Sequence, residues 1–135
     1  MALPVIERHA SRGDSAATVS VNGKPVHVAW TRAAASKLAE RSRPLVLELE
    51  LYFSCLVKKF VHFHDEAPGR STVRVTDALH LYFRAVTSTA CSMDAAERIG
   101  RQPEMELDTP AVRKLAPKRV CLDFAKGRWV AEFWM

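Results

Sequence analysis

The sequence predicts an α+β domain: an antiparallel sheet of about six strands, built as three hairpins around a long central hairpin over 45–92, with helices on one face. Three observations carry that expectation. Apolar residues alternate through 45–64 and again from Val73, turn dipeptides separate shorter alternating runs at both ends, and an alanine-rich segment reads as a capped helix.

The central stretch reads LVLELELYFSCLVKKFVHFH. Its odd positions are almost all apolar, Leu45, Leu47, Leu49, Leu51, Phe53, Cys55, Val57, Val61 and Phe63, and Glu48, Glu50, Tyr52, His62 and His64 lie among its even ones. A period of two gives a strand with one dry and one wetter face. Twenty extended residues would span roughly 66 Å, whereas a compact domain of this length has a radius of gyration of about 14 Å. The strand must therefore coil, break or bulge, and Lys58-Lys59 is the expected place because a charge there falls on the apolar face.

From Val73 the alternation resumes, with Val73, Val75, Leu79, Leu81 and Phe83 on one side and Arg74, His80, Tyr82 and Arg84 on the other. Antiparallel pairing of the two stretches with a residue-number sum of 136 would set Tyr52 opposite Arg84 and His62 opposite Arg74. Pro68-Gly69 suits a type II turn between them.

Toward the N-terminus, Val19 and Val21 precede Asn22-Gly23, and Val26 and Val28 follow it, as in a type I′ hairpin. Thr31 is the expected N-cap of a helix running to about Ser42, with Ala34, Ala35, Leu38 and Ala39 inward and Pro44 as its stop. Residues 1–16 have no period and are expected as a flexible arm, leaving 17–135 as a single domain. Toward the C-terminus, Asp94 to Glu97 resembles a capping box, Thr109-Pro110 a second helix start, and Met105 and Leu107 a short edge strand. Val120 to Phe124 and Arg128 to Trp134 form the last hairpin, turning at Lys126-Gly127.

Composition narrows the function classes. The 135 residues carry a net charge of +5, and residues 1–44 hold seven basic against three acidic groups. Without any RNA- or DNA-binding signature, nucleic acid is not an expected partner. Cys55, Cys91 and Cys121 fit no Cys-x-x-Cys pattern and are expected as small buried hydrophobes in a reducing compartment. No apolar run is long enough for a membrane helix, so a cytoplasmic protein without membrane contact is expected. Thirteen arginines against seven lysines, with abundant alanine, point to a bacterial source.

No glycine-rich phosphate loop, nucleophile elbow or paired-carboxylate motif appears, and no cofactor is expected. The leading expectation is a non-enzymatic interaction module, homodimeric through Val130 and Trp134 on the outer side of the last hairpin. Arg32, Lys37, Arg41 and Arg43 would offer its helix region to an acidic protein or a small anion. The alternative is a domain, conceivably an enzyme, that binds a small ligand or a metal on the polar face of the central hairpin. There Glu50, Tyr52, His80, Tyr82 and Arg84 combine acid, base and hydrogen-bond donors. His62 and His64, two apart on a strand, point the same way and can approach one ion, with Asp65 and Glu66 as possible oxygen donors.

Overall fold

The stretch 45–64 is two strands, not one. In a computed structural model, which describes residues 14–67, 69–88 and 104–135, Leu45–Phe53 (β3) and Val57–His64 (β4) pair antiparallel, Val46 with His64 and Phe53 with Val57. The break falls at Ser54 to Leu56, ahead of the lysines. Ser54 Oγ donates to the Leu56 carbonyl at 2.9 Å and accepts from the Leu56 N–H at 3.3 Å, supplying the turn's hydrogen bonds without glycine or proline. Lys59 keeps its place on the apolar side of β4, with its ammonium 5.9 Å from the centre of the Phe133 ring.

The second alternating stretch is also a hairpin, Val73–Thr76 (β5) and Leu79–Ser88 (β6), with a register shift at the turn. β6 does not meet β3 antiparallel as expected. The two run parallel, Leu45 beside Leu79 and Glu50 beside Arg84. The segment from Asp65 to Thr72 therefore crosses from the β4 edge of the sheet to its opposite edge, giving the order β4-β3-β6-β5. Glu104–Glu106 (β7) extends the far edge by pairing with the end of β6, close to the short strand expected around Met105.

A second sheet, equally mixed, has two further hairpins joined by a parallel pair. Ser15–Val21 (β1) and Lys24–Trp30 (β2) turn at Asn22-Gly23, both with positive φ, as a type I′ turn requires. Arg119–Ala125 (β8) and Arg128–Trp134 (β9) turn at Lys126-Gly127, again both positive. β2 and β8 pair in parallel from His27 onward, so Pro25 and its missing N–H lie outside that ladder.

The apolar faces of the two sheets meet. Val26, Val28, Trp30, Val120, Leu122 and Phe133 from one pack with Leu45, Leu47, Leu49, Leu79 and Leu81 from the other. Each such fully buried side chain contributes about 1.5–3 kcal/mol. Along the sides, β1 lies against β5 and β4 against β9.

The α+β expectation is thus corrected to two mixed sheets, with 58% of the described residues in strands and one α-helix, Arg32–Ala39 (α1). That helix is a single connecting element packed against β8, not one of several covering a sheet face. It carries the chain from β2 in one sheet to β3 in the other and adds Ala34 and Leu38 to the core between them. Thr31 caps it as expected, accepting from the Ala34 N–H at 3.2 Å. It ends at Ala39, well before Pro44, and Ala39 is exposed.

Thr109 accepts from the Val112 N–H at 3.3 Å, but only a single 3₁₀ turn follows, Val112–Lys114. Most of the expected arm, Pro68, Cys91 and the Asp94 to Glu97 capping box lie outside the described residues. Among the described cysteines Cys121 is buried, as expected, whereas Cys55 sits exposed in the β3–β4 turn. No helix among the described residues is long and apolar enough to cross a membrane.

A candidate carboxylate and imidazole site

The even-numbered side chains of β3, β4 and β6 share the face of their sheet that points away from the core. Register decides which of them meet. Glu48 stands between His62 on β4 and Tyr82 on β6, and Glu50 between Phe60 and Arg84. Both carboxylates are buried, at 7% and 4% exposure, as is Tyr82 at 5%. Exposure rises toward β4, where the His62 side chain is 45% exposed and Phe60 is 42% exposed. The site is dry on the β6 side and open on the β4 side.

Glu48 is the hub. Its Oε1 accepts from Tyr82 Oη at 2.8 Å and lies 2.9 Å from His64 Nε2, while its Oε2 accepts from an Arg84 guanidinium nitrogen at 3.0 Å. The same nitrogen reaches Glu50 Oε1 at 3.4 Å. His62 Nε2 approaches from the other strand, 3.4 Å from Glu50 Oε1 and 3.9 Å from Glu48 Oε2. Beyond Arg84, Glu106 accepts from Arg84 Nε at 2.9 Å and takes a two-pronged contact from Arg70 at 2.6 and 2.8 Å. Arg70, on the crossover between β4 and β5, also lays its guanidinium 4.7 Å from the centre of the Tyr82 ring.

These contacts set the protonation states. Burial pushes the Glu48 carboxyl up, but hydrogen bonds from Tyr82, His64 and Arg84 outweigh it and hold the group down at about 2. Burial and the anionic partner Glu48 together push the Tyr82 phenol well above its usual range. The Arg70 contact holds Glu106 below the ordinary carboxylate range, against burial. Glu48 and Glu106 are therefore carboxylates and Tyr82 a phenol at neutral pH.

Of the expected ligand residues, the structure brings Glu50, Tyr82 and Arg84 together. Tyr52 lies one rung along, its ring edge-on to Phe60 at 6.4 Å. His80 occupies the same strand as Tyr82 and Arg84 but makes none of the polar contacts just described. It is flanked by Val46 and Arg74. The His62 and His64 pair is placed beside Glu48, whereas Asp65 and Glu66 turn away to Arg41 and Arg43. Glu48, Glu106 and Arg70 were not expected. A signal for Glu48 was present, since breaking the strand between Glu-x-Glu and His-x-His folds the two motifs onto one face, with Glu48 directly opposite His62.

The other expected surfaces are placed as follows. Lys37 pairs with Glu40 at 3.2 Å, Arg41 with Asp65 at 2.6 Å, and Arg43 with Glu66. The Arg32 side chain is exposed. Val130 is exposed at 37%, while Trp134 packs against Ala29 and Cys121 with the Arg119 guanidinium 4.5 Å from its ring centre.

Fold and site define a class: a sandwich of two mixed sheets bearing a carboxylate and imidazole cluster on one outer face. No family model matches this chain, and no significant match to a curated protein or a solved structure was found.

Proposed function

We propose that the outer face of β3, β4 and β6 binds a divalent metal ion through Glu48, Glu50 and His62. The observation that carries this reading is that ligand atoms of these three residues lie within 4.8 Å of one another while both carboxylates are buried. Donors around a tetrahedral zinc ion at about 2.0–2.1 Å stand about 3.3 Å apart, close to the 3.4 Å between His62 and Glu50.

Charge argues the same way. Three carboxylates, Glu48, Glu50 and Glu106, share two guanidinium groups, Arg70 and Arg84, so the network is one negative charge in excess when its imidazoles are neutral. Buried excess charge is unfavourable unless paired or coordinated to a metal. Arg84 reaches the carboxylates from β6, which leaves their β4 side to the ion. Tyr82 and His64 fix Glu48 by its other oxygen, as outer partners commonly orient a metal ligand.

Native mass spectrometry and calorimetric titration with Zn²⁺ test the reading. One equivalent is expected to bind, and His62→Ala and Glu50→Gln are each expected to weaken binding roughly tenfold or more. A wild-type protein that retains no Zn²⁺ overturns it. The exposed Cys55 thiol supports a reducing, cytoplasmic setting for such a protein.

A second reading, an interaction module formed by two copies, rests on apolar exposure at the β3–β4 hairpin. Leu56 is 69% exposed and Val57 60% exposed there, on a strand that is an edge of its sheet. The same native spectra decide it, since a monomer throughout a dilution series removes this reading.

A further inference from the structure

Resting on the metal-site reading, we infer that the ligand completing this site is a planar aromatic acid with a second anionic group para to the first. One group coordinates the ion and the other meets Lys58.

The geometry follows the rungs of the β3–β4 pair. Glu48 faces His62, Glu50 faces Phe60, and Tyr52 faces Lys58. An ion held by the first of these rungs and Glu50 has its open side toward β4, where His62 is half exposed. The next side chain along β4 on that face is Phe60, 42% exposed, its ring nearly parallel to the His62 ring at 24° with 6.3 Å between centres. Tyr52 supports Phe60 edge-on from β3. An exposed aromatic ring braced by a second ring beside a cluster of ionised groups is a stacking platform for a flat ligand.

Two residues further along β4 stands Lys58, also exposed on that face. From His62 to Lys58 is four residues, roughly 13 Å at about 3.3 Å per residue. A ring with opposed carboxylates spans that interval when one end coordinates a metal and the other makes an ion pair with an ammonium. Charge favours a carboxylate as the group that meets the ion. A divalent ion turns the network from one negative charge in excess to one positive, and a coordinating carboxylate restores neutrality.

The probe is benzene-1,4-dicarboxylate, titrated into protein already shown to carry one Zn²⁺. Its controls are benzoate, which lacks the second anion, and cyclohexane-1,4-dicarboxylate, which lacks the flat ring. The dicarboxylate is expected to bind the Zn²⁺-loaded protein and not the chelator-treated one, with both controls at least tenfold weaker. Phe60→Ala is expected to reduce its affinity about tenfold. Lys58→Ala is expected to reduce it to that of benzoate, with Zn²⁺ retained in both variants. Zn²⁺-loaded protein that ignores the dicarboxylate, or binds it equally well after both substitutions, overturns this inference and leaves the metal site standing. Failure to bind Zn²⁺ overturns both.

Discussion

Tyr82 Oη donates to Glu48 Oε1 at 2.8 Å, joining β6 to β3 across a buried rung. A hydrogen bond to a buried charged acceptor contributes about 1.5–3 kcal/mol. Tyr82→Phe is therefore expected to lower unfolding free energy by that amount in urea denaturation, with the fold retained. In a Glu48→Gln background the same substitution is expected to cost far less, because the acceptor no longer carries charge. Equal costs in the two backgrounds would remove Glu48 as the source of the effect.

The same carboxylate makes stability depend on pH. Its folded value of about 2 lies below the ordinary 4.5, so the native state favours the ionised form. This contribution is fully present above pH 4.5, declines as the pH falls toward 2, and is absent below that. Its size is on the order of 3 kcal/mol. Acid titration followed by tryptophan fluorescence is expected to show wild type losing stability through that window. Glu48→Gln, less stable at neutral pH, is expected to lose less across it. Parallel acid profiles for the two proteins would contradict the assignment.

The sequence made the turns legible more readily than the strand order, for a physical reason. Asn22-Gly23 readily takes the two positive φ angles of a type I′ turn, and at the last hairpin Gly127 takes one of them freely while Lys126 is carried into the other. The break at Ser54 to Leu56 has no such residue. Moreover, β3 and β4 pair with numbers that sum to 110, so odd residues remain on the core face on both sides of the turn. Alternation through 45–64 therefore looks the same for one strand or two. Period two also carries no direction, which is why the parallel pairing of β3 with β6 could not be read from Val73 to Arg84. The polar face itself was legible in Glu50, Tyr82 and Arg84. Its hub, Glu48, depended on the register, and Glu106 and Arg70 come from separate segments that only the fold brings together.

Thr31 serves two elements at once. Its hydroxyl caps α1 at Ala34 and donates to Asp123 Oδ1 at 2.6 Å, tying the helix start to β8 in a position only 6% exposed. Loss of a cap costs about 1 kcal/mol and loss of a hydrogen bond about as much again. Thr31→Ala is thus expected to destabilise the protein by about 2 kcal/mol in chemical denaturation, and Thr31→Ser to recover most of it. A serine variant as unstable as the alanine one would shift the cause to the lost methyl group.

Arg84 offers the most direct link between stability and the proposed ion. It is the guanidinium that contacts Glu48, Glu50 and Glu106, and Glu48 and Glu106 hold it charged against its burial. Replacing it with Gln leaves buried carboxylates short of a cation, a change that costs about 3–5 kcal/mol. Arg84→Lys keeps the charge while giving up the fork, so it is expected to fall between Gln and wild type. A divalent ion bound only by the folded state raises Tm in proportion to its affinity. If the ion and Arg84 neutralise the same carboxylates, Zn²⁺ is expected to raise the Tm of Arg84→Gln most, of Arg84→Lys less, and of wild type least, each shift reversed by chelator. The reverse order would mean that Arg84 helps to build the metal site instead of sharing its charge. No shift in any of the three would remove the ion from the site altogether.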